Sequence, residues 1–221
     1  MSEGTRTRLL AAALRILAVE GIAGASVPSI AAAAGVDQAL VLSRFDSVED
    51  LLAEACRYGA RRRVARYRDR FAAVASVDEL VELGRSVHAE ERAAGHVALL
   101  AQLLAAAQGH PRLGEATAAG LELWAAEIEQ VLHRVLDTGP LGGLVDVGGL
   151  ARAMAAGFVG VELYGGADAD GAERALRSLE QLGQAAAVVE ELGPLAQRAL
   201  RARLRRSLPP ARPAGVWGEW E

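Results

Sequence analysis

The stretch from Ser26 to Leu52, SVPSIAAAAGVDQALVLSRFDSVEDLL, limits what this chain can fold into more than any other part of it. Two short helical patterns, Val27–Ala34 and Gln38–Phe45, flank Gly35-Val36-Asp37. Ile30, Ala31 and Ala34 share one face of the first pattern. Gly35 suits the left-handed residue that closes a helix, because it has no Cβ to clash there. Asp37 can then accept from the free N–H groups that open the next helix. Ser47-Val48-Glu49-Asp50 reads as a capping box that starts a third. Helix, tight glycine turn and short helix make the helix-turn-helix arrangement, whose second helix can enter a DNA major groove.

The rest of the chain predicts an all-α fold of about nine or ten helices. Alanine and leucine dominate, aromatics are 4%, and β-branched runs are scarce, so helix is favoured over strand. No apolar run reaches about 18 residues without a charge or a glycine, which argues against a membrane span. The start MSEGTRTRLL lacks the apolar core of a signal peptide. A single cysteine, Cys56, leaves no internal disulfide and fits a cytoplasmic location. Every Lys-or-Arg position is arginine, a bias read first as genomic composition. The formal net charge of -4 does not mark a nucleic-acid binder.

Taken in order, Thr5–Glu20 carries Leu10, Ala13, Leu14 and Leu17 at helical spacing, and Gly21 is expected to end that helix. A long helix is expected from Ser47 toward Val74, and Ser76 or Asp78 starts the next. Gly95 interrupts it before His96–Gln108, and Pro111 suits a helix start. Leu121, Trp124, Ile128, Val131 and Val135 then form a core stripe. After a glycine-rich loop over Asp137–Gly149, Leu150, Met154, Gly157, Val161 and Tyr164 fall at steps of three and four. Asp170 with Glu173 reads as a second capping box, ahead of Leu176, Leu179, Leu182, Ala186 and Val189. Gly193-Pro194 precedes a last arginine-rich helix over Leu195–Leu208. The expected organisation is a DNA-binding domain over 1–50, a helical domain over 51–208, a helix over 47–74 belonging to both, and a poorly ordered tail over 209–221.

Residues Arg8–Leu52 resemble the N-terminal domain of TetR-type transcriptional regulators. Leu10, Ala13, Leu14, Gly21, Ser26, Val27, Ile30, Ala31, Ala34-Gly35-Val36, Phe45, Ser47 and Leu51-Leu52 carry the resemblance. It implies operator DNA bound by the N-terminal helices, and a small-molecule effector and a homodimer contact in the C-terminal ones. Serine, histidine and acidic residues are scattered without a nucleophile motif, and there is no phosphate-binding glycine loop with lysine, so no enzyme activity, cofactor or metal is expected. The family commonly has S-K-G-T-L-Y-x-H-F-x-S-K across the recognition helix. Here Leu40 stands for the Thr, Leu42 for the Tyr, Arg44 for the His and Val48 for the Lys. The framework is kept, but Leu40 and Leu42 cannot donate to phosphate and Val48 removes a cation. Four arginines face six carboxylates within the first fifty residues, a net -2. Weakened DNA affinity is the expectation.

Gln38, Ser43 and Arg44 are the polar candidates for base or phosphate contact, with Arg8, Ser26 and Ser29 as further phosphate candidates. Leu40 can touch a thymine methyl or pack within the head, and Leu42 occupies the family's tyrosine position. For a ligand pocket, analogy with helical bundles points to Trp124, Met154, Phe158, Glu162 and Tyr164. A buried Glu162 would need a partner. The arginines between Arg57 and Arg70 point in different directions on a helix, so ion pairs with acidic neighbours are expected rather than a nucleic-acid surface. His88 and Glu91, three residues apart and near His96, are expected to form a solvent-exposed pair rather than a metal site, and His133 to face the core.

These readings combine into a ligand-responsive regulator, a repressor that binds operator DNA as a dimer and is released by a small molecule. The helices Leu150–Tyr164 and Ala172–Leu192 are the expected dimer surface. Two alternatives stay open: a protein of this fold with eroded DNA contacts that serves as a small-molecule-binding accessory, or one whose C-terminal cavity has become an active site.

Overall fold

The computed structural model describes residues 3–137, 139, 141–190 and 192–207, and the expected tail over 209–221 lies outside them. The described residues form ten helices and no strand. In chain order they are α1 (Glu3–Gly24), α2 (Val27–Ala34), α3 (Gln38–Leu42), α4 (Val48–Ala73), α5 (Val77–Ala93), α6 (His96–Ala107), α7 (Pro111–Leu136), α8 (Val147–Gly165), α9 (Ala169–Glu190) and α10 (Pro194–Ser207).

Local chemistry sets most of these limits. Ser26 caps α2 in a full capping box with Ser29, and Gly35 closes it at φ 64° and ψ 45°. Asp37 caps α3 by accepting from the Ala39 N–H at 2.7 Å. Ser47 caps α4 and Ser76 caps α5, each accepting from the third residue onward. Asp146 opens α8 by accepting from the Gly149 N–H at 2.9 Å. Two expectations need correction. Gly21, at φ 69°, breaks α1, but one more helical turn follows to Gly24. At the start of α9 it is Asp168, not Asp170, that accepts from a helix N–H, that of Gly171 at 2.9 Å.

Two apolar cores follow from how these faces meet. The first joins Leu9, Leu10 and Leu17 of α1 with Ile30 and Ala34 of α2, Val41 of α3, Phe45, and Leu51, Leu52 and Ala55 of α4. It extends into Leu99 and Leu103 of α6 and Leu113 and Ala116 of α7. The second gathers Tyr67 and Phe71 of α4, Leu80, Leu83 and Val87 of α5, Val131 and Val135 of α7, and Val147 and Ala151 of α8. Burying each of the larger side chains stabilises by about 1.5–3 kcal/mol. Helix α4 contributes to both cores: its first turns belong to the helix-turn-helix unit and its last turns to the bundle.

Of the α4 arginines, Arg66, Arg68 and Arg70 make the expected close ion pairs. Arg66 and Arg70 pair with Glu90 of α5 at 3.2 and 2.7 Å, and Arg68 pairs with Glu127 of α7 at 3.0 Å. The hydrogen bond from Arg70 is the main cause that holds Glu90 below the usual carboxylate range. Arg112 at the start of α7 pairs with Asp50 at the start of α4, which ties the bundle to the helix-turn-helix unit. His133 does not face the core. It is exposed and pairs with Asp137 at 3.1 Å, because its position lies on the outer side of the Val131–Val135 stripe.

Candidate functional site

Two places bring functional side chains together: the outer face of α3, and a cavity between α4, α5, α6, α7 and α8.

On α3, Val41 is buried and pins the helix to the head, which turns the neighbouring residues outward. Gln38, Leu42, Ser43 and Arg44 are exposed and Leu40 is half-buried. The side chains of Gln38 and Arg44 make no hydrogen bond or ion pair among the described residues, so both are available to a ligand. Ser43 is engaged, donating to the Leu40 carbonyl at 2.9 Å. Leu42 is 64% exposed, an apolar side chain held toward solvent at the centre of this face. Ser26 and Ser29 are turned to capping: Ser29 Oγ donates to the Gly24 and Ser26 carbonyls at 2.8 and 3.1 Å. Among the described residues Arg8 reaches only Thr5 Oγ1, at 3.5 Å. The other head arginines are committed inward. Arg6 makes a bidentate pair with Glu54 at 2.7 and 2.5 Å and lies over the Phe45 ring, and Arg15 donates to the Ala33 carbonyl at 2.8 Å.

The cavity has a volume of about 120 Å³. Phe71, Leu80, Val87, Leu121, Ile128 and Val159 line it together with Trp124, Met154 and Phe158. Trp124 is held by the rings of Tyr67 and Phe71, with centroids 5.7 and 6.3 Å away. One end is polar and carries Arg63, Glu91 and His96. Glu91 is buried, accepts from the Tyr67 hydroxyl at 3.0 Å and lies 3.2 Å from His96 Nδ1. Burial, with Glu91 beside it, pushes the Tyr67 hydroxyl well above the usual phenol range. Burial likewise pulls Arg63 below the usual guanidinium range, and the Glu91 carboxylate opposes that.

The sequence-derived pocket residues divide. Trp124, Met154 and Phe158 line the cavity. Glu162 does not. Its carboxylate lies 3.3 Å from His88 Nε2 and 3.5 Å from Arg92 Nε, so it braces α8 against α5. Tyr164 is not among the residues that line the cavity. It lies ten residues beyond Met154, about 15 Å along the helix, and is 52% exposed. His88 and Glu91 are not a solvent-exposed pair: they are only 8% and 5% exposed. His88 packs edge-on against Phe158 at 4.7 Å, and its Nε2 is buried with no well-aimed hydrogen bond. Among the described residues, no group of three or more His, Cys, Asp or Glu side chains is placed to hold a metal. Arg63, Tyr67, Glu91 and His96 were not among the pocket candidates. The spacing of His88, Glu91 and His96 was the one signal in the sequence that pointed near them.

A helix-turn-helix head continuous with an all-helical bundle that lines a cavity is the architecture this chain shares with known proteins. Residues 9–55 match the family described as bacterial regulatory proteins, tetR family. A TetR-family transcriptional regulator from Rhodococcus sp. is 23% identical, with 86% of this chain and all of that one covered, at a TM-score of 0.69. A TetR-family regulator from Cytophaga hutchinsonii is 17% identical, covering 87% and 99%, at 0.71. A transcriptional regulator from Streptomyces coelicolor is 26% identical, covering 90% and 97%, at 0.59. A comparison with curated proteins finds no significant match. Residues 9–55 thus match a TetR-family N-terminal domain, and the chain shares the all-helical fold of solved TetR-family regulators. No described helix is long and apolar enough to cross a membrane.

Proposed function

We propose that this protein is a dimeric, ligand-responsive regulator that binds operator DNA through α3 and is released from it by a small molecule in the bundle cavity. One observation carries the reading: α4 belongs to both sites. Leu51, Leu52 and Ala55 pack under the helix-turn-helix unit, while Arg63 and Phe71 of the same helix line the cavity. A ligand that shifts the downstream half of α4 therefore shifts the head, which is the two-state coupling that regulation requires. In this reading the DNA-binding unit is 1–50 and the ligand and dimer unit is 51–208. The dimer surface is α8 with α9, where Leu163, Leu179, Leu182 and Val188 are all more than half exposed.

A second reading is favoured by the head itself. Most of its polar side chains are spent inside the protein, and Leu42 stands where a donor would serve. A protein of this fold that binds a ligand but has little affinity for DNA fits those facts too. The test is anisotropy of DNA flanking the protein's own gene against a shuffled duplex, before and after co-purified small molecules are stripped and identified by mass spectrometry. Preference for the flanking DNA that changes with stripping or re-addition supports the regulator. Equal binding to both duplexes in every state supports the accessory reading.

A further inference from the structure

The polar end of the cavity holds more donors than acceptors. Arg63 carries five N–H donors and no acceptor. Its side chain is 15% exposed, and Nε is buried without a hydrogen-bond partner. The Glu91 carboxylate is its ion-pair partner, but Oε2 lies 3.9 Å from Nε, beyond hydrogen-bond reach. Glu91 is meanwhile satisfied elsewhere: Oε1 accepts from Tyr67, and Oε2 lies beside His96. The facing walls, Phe71, Leu80, Val87, Ile128 and Phe158, offer no acceptor at all. A buried guanidinium left in this state costs free energy that an incoming acceptor would recover.

We propose that the cavity binds an apolar carboxylic acid, with Arg63 receiving the carboxylate and the aromatic and aliphatic walls receiving the hydrocarbon. This rests on the cavity being the ligand site of the regulator. A carboxylate offers two oxygens in the plane that matches the guanidinium fork. An ammonium ligand would meet the Arg63 charge and find Glu91 already engaged. An alcohol brings one acceptor and no charge. The volume of about 120 Å³ is close to that of a cavity that holds a benzene-sized group, roughly six heavy atoms, and the cavity is open on one side, so the rest of a medium-length chain can extend past its mouth. A narrower pocket of about 20 Å³, lined by Cys56, Ala60, Leu103 and Thr117, opens from the same arginine. Cys56, Leu103 and the neighbouring Ala116 belong to the core under the helix-turn-helix unit. The charged end of the ligand would therefore be the end nearest the head.

Calorimetric titration of octanoate, 1-octanol and octylamine into the full chain at neutral pH tests this. Octanoate is expected to bind at least about tenfold tighter than octanol, as a charge-assisted pair would give, with octylamine weakest. Arg63→Gln should abolish the preference for octanoate over octanol. Arg63→Lys, which keeps the charge but not the fork, should keep part of it, and it serves alone if the Gln variant fails to melt cooperatively. Octanol or octylamine binding as tightly as octanoate, an unchanged preference in the variants, or no binding of any of the three would overturn the assignment. Binding of flanking DNA by the same preparation separates the two failures. Specific DNA binding without a preference for octanoate removes the acid and leaves the regulator, whereas absence of specific DNA binding removes the regulator itself.

Discussion

Replacing Leu182 with glutamate is expected to split the dimer and leave the protomer folded. Leu182 on α9 is 68% exposed, with Leu179 at 51% and Leu163 of α8 at 54%. Because most of the side chain is already in water, the substitution changes protomer stability by no more than about 0.5 kcal/mol. In a two-fold dimer the same position is lost twice. Burying the exposed two-thirds of a leucine is worth about 1–2 kcal/mol, so two copies forfeit about 2–4 kcal/mol. Two carboxylates drawn into an apolar contact add a desolvation cost to that. The dimer dissociation constant should therefore rise by at least about a hundredfold, at 1.4 kcal/mol per tenfold. Sedimentation from low to high micromolar concentration reads the constant, and thermal melting reads the fold. Gly157→Leu on α8 is a second probe, because a Cβ there meets nothing within 4 Å in the protomer. If wild type is a monomer, or if both variants remain dimers at unchanged concentration, α8 and α9 are not the interface.

Arg6→Ala should lower stability by about 1 kcal/mol, as expected for a bidentate but partly exposed pair, while leaving the salt dependence of DNA binding unchanged; melting and a salt titration check both. Cys56 is buried, and burial pushes its thiol up to about 11. At pH 7.5 iodoacetamide should therefore modify it at least about a hundredfold more slowly in the folded protein than in denaturant, as followed by mass. Gly183→Ala would bring a Cβ to 2.6 Å from Val81 Cγ2, where α9 packs on α5. It should cost about 1–3 kcal/mol by overpacking, read as a lower melting temperature.

How much of this was legible in the sequence follows from the range of the interactions. Ser26, Gly35, Asp37 and Ser47 act within three or four residues, so their spacing alone placed α2, α3 and the start of α4. The apolar stripe of α7 was equally plain, and it carried Trp124 to the cavity. Periodicity tells which residues share a face, but not which faces of different helices meet. Met154 and Tyr164 share a stripe, yet only Met154 reaches the cavity, because the stripe runs past the cavity's end. Arg63 sits in a run of three arginines that reads as a set of ion-pair partners for acidic neighbours, and nothing in the run marks one of the three as buried. Its burial, and that of His88 and Glu91, comes from the way α5 and α7 close over α4, which no local pattern encodes.

The contact between the head and DNA decides most directly between regulator and accessory protein, and a salt titration of flanking-DNA binding reads that contact. Arg44 is an exposed cation just past the C-terminal end of α3, and its side chain makes no hydrogen bond or ion pair among the described residues. Arg44→Ala should therefore make the slope of log affinity against log salt shallower by about 0.9 per head, twice that per dimer, with no loss of fold. Val48→Lys, at the first residue of α4, should steepen it by about the same amount, because the stem can lie on the head's apolar surface while the ammonium reaches phosphate. Leu42→Tyr, which restores a donor on the exposed face, should tighten binding by about 1 kcal/mol. A wild-type slope that none of the three variants moves, with no preference for flanking over shuffled DNA, would contradict the claim that α3 is the surface this protein presents to an operator.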